Sequence, residues 1–70
     1  MPKGYSSRTI VRVLEAQGFV FVSQSGSHAK YWKYCFPVLT VIVPMKKREI
    51  PYGTFRSILR QANLMEDVFN

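Results

Sequence analysis

The hydrophobic period of this chain switches from helical spacing to strand spacing and back, and that switch limits it to a small mixed fold. From Ser6 to Gln17 the pattern is helical: Ile10, Val13, Leu14 and Gln17 share one face, with Val11 beside it. Ser6 or Ser7 can cap the start, and Gly18 can take the left-handed conformation that closes a helix. Phe19-Val20-Phe21-Val22-Ser23 is short, aromatic and β-branched, which predicts a strand. Gln24 to Ser27 supplies turn residues. His28 to Tyr34 then alternates, with His28, Lys30, Trp32 and Tyr34 on one face and Ala29, Tyr31, Lys33 and Cys35 on the other. A hairpin back onto the preceding strand follows. After a turn at Phe36-Pro37-Val38, Leu39 to Val43 reads as a third strand that Pro44 ends. Met45 to Ile50 is a basic loop. A second helix opens near Pro51 and carries Tyr52, Phe55, Ile58, Leu59 and Ala62 at helical spacing, with Asn63 as a left-handed cap. Leu64 to Phe69 has room for one more helical turn.

The order α-β-β-β-α predicts an α+β fold, a three-stranded antiparallel sheet with two helices on one face. The expected core is Val13, Leu14, Phe19, Phe21, Val41, Val43, Phe55, Ile58 and Leu59. With 70 residues the chain is expected to form a single domain, 1–70.

Charge narrows the function. Ten Lys and Arg stand against four acids, Glu15, Glu49, Glu66 and Asp67, for a net charge of +6. The segment from Ala16 to Arg48 holds none of those acids but does hold Lys30, Lys33, Lys46, Lys47 and Arg48. Such a field suits a polyanion, although a generic soluble surface or an anionic lipid also fits. One cysteine, Cys35, forbids an intramolecular disulfide, and one cysteine with one histidine gives no metal-ligand spacing. No cofactor is expected. The residues from Met1 to Tyr5 carry no apolar run, and the stretch from Pro37 to Pro44 is too short to span a bilayer. A cytoplasmic protein without membrane contact is the expectation.

Three motifs could carry chemistry. In Gly26-Ser27-His28-Ala29-Lys30, Gly26 permits a tight turn or close approach of a phosphate, and Ser27 adds a hydroxyl. His28 can move a proton near neutrality, and Lys30 shares its strand face. The same pattern also fits a plain hairpin with a surface histidine. Tyr31, Trp32 and Tyr34 interleave with Lys30 and Lys33, as in surfaces that stack bases and track phosphates. Sheet packing explains them equally, and for Tyr31 explains them better; Trp32 and Tyr34, if exposed, are candidate contacts with RNA or a partner. Lys46-Lys47-Arg48 precedes the second helix, where free N–H groups and added cations can hold an anion; a solvated loop is the plain alternative. Arg56 and Arg60, one turn apart, extend the basic surface. Cys35 has no neighbouring base and reads as a core or hairpin residue. Glu66 and Asp67 read as a solvated helix start.

Taken in order, several of these segments are familiar. They are Gly18-Phe19, Gly26-Ser27-His28, Val41-Ile42-Val43-Pro44, and Glu49-Ile50-Pro51-Tyr52-Gly53-Thr54-Phe55-Arg56-Ser57-Ile58-Leu59-Arg60-Gln61-Ala62. From about Ser7 to Phe69 the sequence resembles the HicA family, small toxins of bacterial HicAB toxin–antitoxin pairs. The resemblance implies a double-stranded-RNA-binding-domain-like α-β-β-β-α fold. It also implies metal-independent cleavage of mRNA, a catalytic histidine at His28, and a HicB antitoxin that blocks the toxin. The sequence departs from the family in two places. Met45-Lys46 stands where many members have a histidine, and Asn63 stands where many have glycine. His28 is therefore the chain's one imidazole, and a two-histidine scheme is excluded.

The expected activity is an endoribonuclease with His28 as general base and acid. Gly26, Ser27, Lys30, Lys46, Lys47 and Arg48 are the expected substrate-binding residues. The alternative is a non-catalytic RNA-binding module of the same fold.

Overall fold

A computed structural model describes residues 4–69 of the chain. Met1 to Lys3, on which the expectation of no targeting segment partly rests, lie outside the described residues. The elements are α1 (Ser7–Ala16), β1 (Val20–Ser25), β2 (His28–Lys33), β3 (Leu39–Pro44), α2 (Tyr52–Ala62) and a 3₁₀ turn (Glu66–Phe69). The strands form an antiparallel sheet in the order β1-β2-β3, and both helices pack on one side of it. The predicted α-β-β-β-α architecture is the one observed.

Both helices close in the same way. Ser6 caps α1, its Oγ accepting the Thr9 N–H at 3.1 Å. At the other end Gly18 stands at φ 97°, and the Phe19 N–H returns to the Leu14 carbonyl at 2.9 Å. In α2, Asn63 takes φ 56°, and the Leu64 N–H returns to the Leu59 carbonyl at 3.0 Å. Asparagine tolerates this conformation, so the same cap forms with or without glycine.

The core lies between the sheet and the helices: Ile10, Leu14, Phe19, Ala29, Tyr31, Val41, Val43, Ile50, Phe55, Ile58, Leu59 and Ala62 are buried. Two expected core residues are corrected. Val13 is half-buried, because α1 turns Ser7, Ile10 and Leu14 inward and leaves Val13 at the flank. Phe21 is 54% exposed. The β1–β2 register shifts between Phe21 and Ser23, so Val22 forms a bulge. Phe21 shares a face with Tyr31, ring centroids 5.8 Å apart, but the helices pack mainly against β3 and leave that edge uncovered. Cys35 is exposed in the β2–β3 connection and is a hairpin residue, not a core one.

The N-terminal segment completes the core. Tyr5 bridges Ile50, whose N–H donates to the Tyr5 carbonyl at 2.8 Å, and Tyr5 packs on Phe55 and Phe69 with centroids 5.1 Å from each. The free edge of β3 is met by α2, with the Ile42 N–H donating to Gln61 Oε1 at 3.0 Å. No helix among the described residues is long and apolar enough to cross a membrane.

Candidate nucleic-acid site

The alternation of β2 divides its residues cleanly. Ala29 and Tyr31 are buried against the helices, so His28, Lys30 and Trp32 face the open side of the sheet. His28 and Lys30 are one side-chain repeat apart on that face, about 6.6 Å along the strand. His28 stands opposite Ser25 on β1 and Pro44 on β3, at the hairpin end of the sheet.

The turn that presents His28 has two residues, Gly26 and Ser27. Gly26 takes φ 58°, the positive φ that such a turn requires of its first residue. A Cβ added there meets nothing within 4 Å, so glycine is needed for conformation and the space above it is open. Ser27 Oγ lies 3.5 Å from His28 Nδ1, a long contact that can orient the ring. The ring is otherwise exposed, with no further hydrogen-bond partner among the described residues.

The loop after β3 is braced to this corner. The Met45 N–H donates to the Ser27 carbonyl at 2.6 Å. Ser7, 3% exposed, fixes the next residues to α1. Its Oγ donates to the Pro44 carbonyl at 2.6 Å and accepts the Lys47 N–H at 3.0 Å, while its own N–H donates to the Lys47 carbonyl at 3.0 Å. Lys46 sits within this clamp at φ 62°, a left-handed conformation uncommon for lysine. By sequence alone Ser7 reads only as an alternative cap. Its role as a clamp depends on partners 37 and 40 residues away and leaves no local signal.

The clamp places Lys46 and Lys47 beside α1 instead of at the N-terminus of α2. Together with Ser7, Arg8, Val11, Arg12, Glu15 and Met45 they line a groove. Arg8 and Arg12 carry no distinctive sequence signal, since two arginines one turn apart on a helix surface look unexceptional until the loop packs next to them. Arg48 is exposed on the same loop. Arg56 and Arg60 line a different hollow with Leu64, Met65 and Glu66, where Arg56 donates to the Tyr52 hydroxyl at 3.4 Å and that hydroxyl to Glu66 at 3.2 Å. They are not part of the hairpin-end cluster. The Met45–Ser27 bond thus sets the backbone of the Lys46–Lys47 loop beside the Gly26–Ser27 turn, with the two lysines lining the groove on α1 and His28 and Lys30 on the open face of the sheet.

Among the described residues, no three of His, Cys, Asp and Glu come together as a metal site. No curated protein matches the sequence. The family model described as "HicA toxin of bacterial toxin-antitoxin" matches residues 7–64, a span that runs from the start of α1 past the end of α2. Both helices, the whole sheet, the glycine turn and the loop clamp fall inside that match, and the chain belongs to the HicA toxin family.

Proposed function

We propose that this toxin is an endoribonuclease that cuts mRNA without a metal, with His28 as its proton-transfer group and a HicB-type antitoxin as its inhibitor. The observation that carries the reading is the exposed His28 on an open glycine turn, with Lys30 on its face and the loop lysines braced at the same end.

The chemistry follows from RNA itself, which places a hydroxyl beside each phosphate. Neutral His28 takes the 2′-hydroxyl proton at Nε2, and the oxygen attacks the adjacent phosphorus in line. The new O2′–P bond forms as the P–O5′ bond breaks. The leaving 5′ oxygen takes a proton from water or a lysine, and His28 returns its own proton to solvent. The products are a 2′,3′-cyclic phosphate and a 5′-hydroxyl. Lys30, Lys46, Lys47 and Arg48 offset the charge on the phosphate oxygens. Gly26 lets a phosphate approach the backbone, and Ser27 orients the ring. Arg8 and Arg12 extend the cationic track along α1. The nucleophile belongs to the substrate, so no cofactor enters the scheme.

The test is cleavage of mRNA in excess chelator. Wild-type protein cuts and His28→Ala does not. Full activity in that variant overturns the assignment. Wild-type protein that binds RNA but never yields fragments supports a non-catalytic RNA-binding module instead.

A further inference from the structure

The end of the open sheet face remote from His28 is apolar and uncovered. Val20 is 44% exposed, Val38 50%, Tyr34 71% and Phe36 fully exposed. The register makes them neighbours. Val20 stands opposite Trp32, whose ring meets Tyr34 at 6.0 Å. Trp32 pairs with Thr40 and Lys33 with Leu39, where the ladder ends, and Tyr34 and Val38 are the next residues out from that last pair. Phe36 lies in the loop between them. Contiguous exposed apolar side chains of this kind on a small protein mark an interaction site.

We propose that this apolar end anchors the cognate antitoxin, which seats an apolar segment on Val20, Trp32, Tyr34, Phe36 and Val38 and lays acidic side chains along the same face toward Lys30 and His28. Three observations favour a protein over RNA at this anchor. Val20 and Val38 bury area but stack no base, so the patch is not built of stacking rings alone. Trp32 and Tyr34 meet edge to face at 89°, which does not form a stacking platform. The cation nearest the patch on its face is Lys30, one side-chain repeat from Trp32 toward His28; Lys33 is on the helix side, 6.0 Å from the Phe19 ring, and Lys46 and Lys47 line the groove beside α1. Aromatic anchors with few charges are what the centre of a protein interface uses, and the chain belongs to a toxin–antitoxin family. Complementarity fixes the partner's rim, because a chain of net charge +6 favours acidic side chains around the apolar anchor. From Tyr34 to His28 is about 20 Å along the strand, within the reach of one ordinary interface. Inhibition is then a consequence of anchoring on the same face.

The inference rests on the toxin reading above for its partner, while its test does not require RNA cleavage. The full chain and the antitoxin encoded beside it are purified, and their affinity is measured for wild type and for the combined variant Val20→Ser, Phe36→Ser, Val38→Ser. The expected result is at least a 100-fold weaker complex, with RNA binding and cleavage within about twofold of wild type. A complex within threefold of wild type overturns the proposal, as does a variant that binds the antitoxin normally but loses RNA. Trp32, the chain's single tryptophan, gives a readout free of mutation. With 5-fluorotryptophan at that position, antitoxin shifts the fluorine resonance and a short single-stranded RNA does not. The reverse outcome makes the patch an RNA platform. If the wild type cuts no RNA yet the affinities behave as expected, the anchor stands and the ribonuclease reading falls.

Discussion

The two ends of β2 are built on different principles. At the His28 end the turn is two residues long, the following loop is tied to Ser27 through Met45, and Ser7 clamps that loop to α1 with three hydrogen bonds. At the other end the chain runs from Tyr34 to Val38 with its side chains exposed, and Cys35 hydrogen-bonds to the carbonyls of Lys33 and Pro37. The first end is polar, cationic and braced. The second is apolar and lightly held. The proton transfer proposed for His28 needs a turn held in place, and the bonds of Met45 and Ser7 hold the backbone on either side of it. A docking surface needs area and few charges, which the apolar end supplies.

The largest effect expected at the braced end is on chemistry. His28→Ala is predicted to lower single-turnover RNA cleavage by about 100-fold or more, with RNA affinity nearly unchanged. Next comes the track along α1. Arg8→Gln with Arg12→Gln should weaken RNA binding and reduce the slope of log affinity against log salt by about 0.7 for each phosphate no longer neutralised. An unchanged slope would place the RNA elsewhere. Ser7→Ala leaves the Lys47 N–H and the Pro44 carbonyl without their partner, and is predicted to cost about 1–3 kcal/mol in urea unfolding. It should also lower cleavage while leaving the apolar end's partner affinity unaffected, which separates the two ends directly.

Smaller effects sharpen the same contrast. Lys46 holds a left-handed conformation that asparagine tolerates better. Lys46→Asn is therefore predicted to melt no lower than wild type while binding RNA more weakly, the signature of strain retained beside a site. A lower melting temperature would deny the strain. The smallest effect concerns Tyr31, under the middle of the sheet. Burial first, and then the negative charge of Glu15, raise its phenol above the ordinary 10.0. The folded chain then holds that proton more tightly than the unfolded one. The stabilisation is whole below the ordinary value and fades as pH rises through the folded one. Tyr31→Phe should lose less stability than wild type between neutral pH and pH about 11, measured by urea midpoints.

Much of this is legible in the sequence, for local reasons. Helix faces, caps at Gly18 and Asn63, and the alternation that puts His28 and Lys30 together depend on periods and on single residues with special backbone freedom. What is not legible depends on residues far apart in the chain. Phe21 reads as core, and only the bulge at Val22 and the uncovered edge of the sheet leave it exposed. Ile50 reads as loop, yet its bridge to Tyr5 buries it. Lys46 and Lys47 read as an anion site for α2, and the Ser7 clamp delivers them to α1. The chemistry at His28 is suggested by type and position, but the brace that holds it has no sequence signature.

In the proposed reaction the hairpin end uses the RNA's own 2′-hydroxyl, activated by His28. The direct measurement is the identity of the new termini in chelator-treated digests of one RNA and of its copy carrying a single 2′-deoxy nucleotide at the cut position. A 2′,3′-cyclic phosphate and a 5′-hydroxyl are expected from the first, and no cut at that position in the second. Cleavage at the deoxy position, or a 5′-phosphate product, would contradict the proposed reaction.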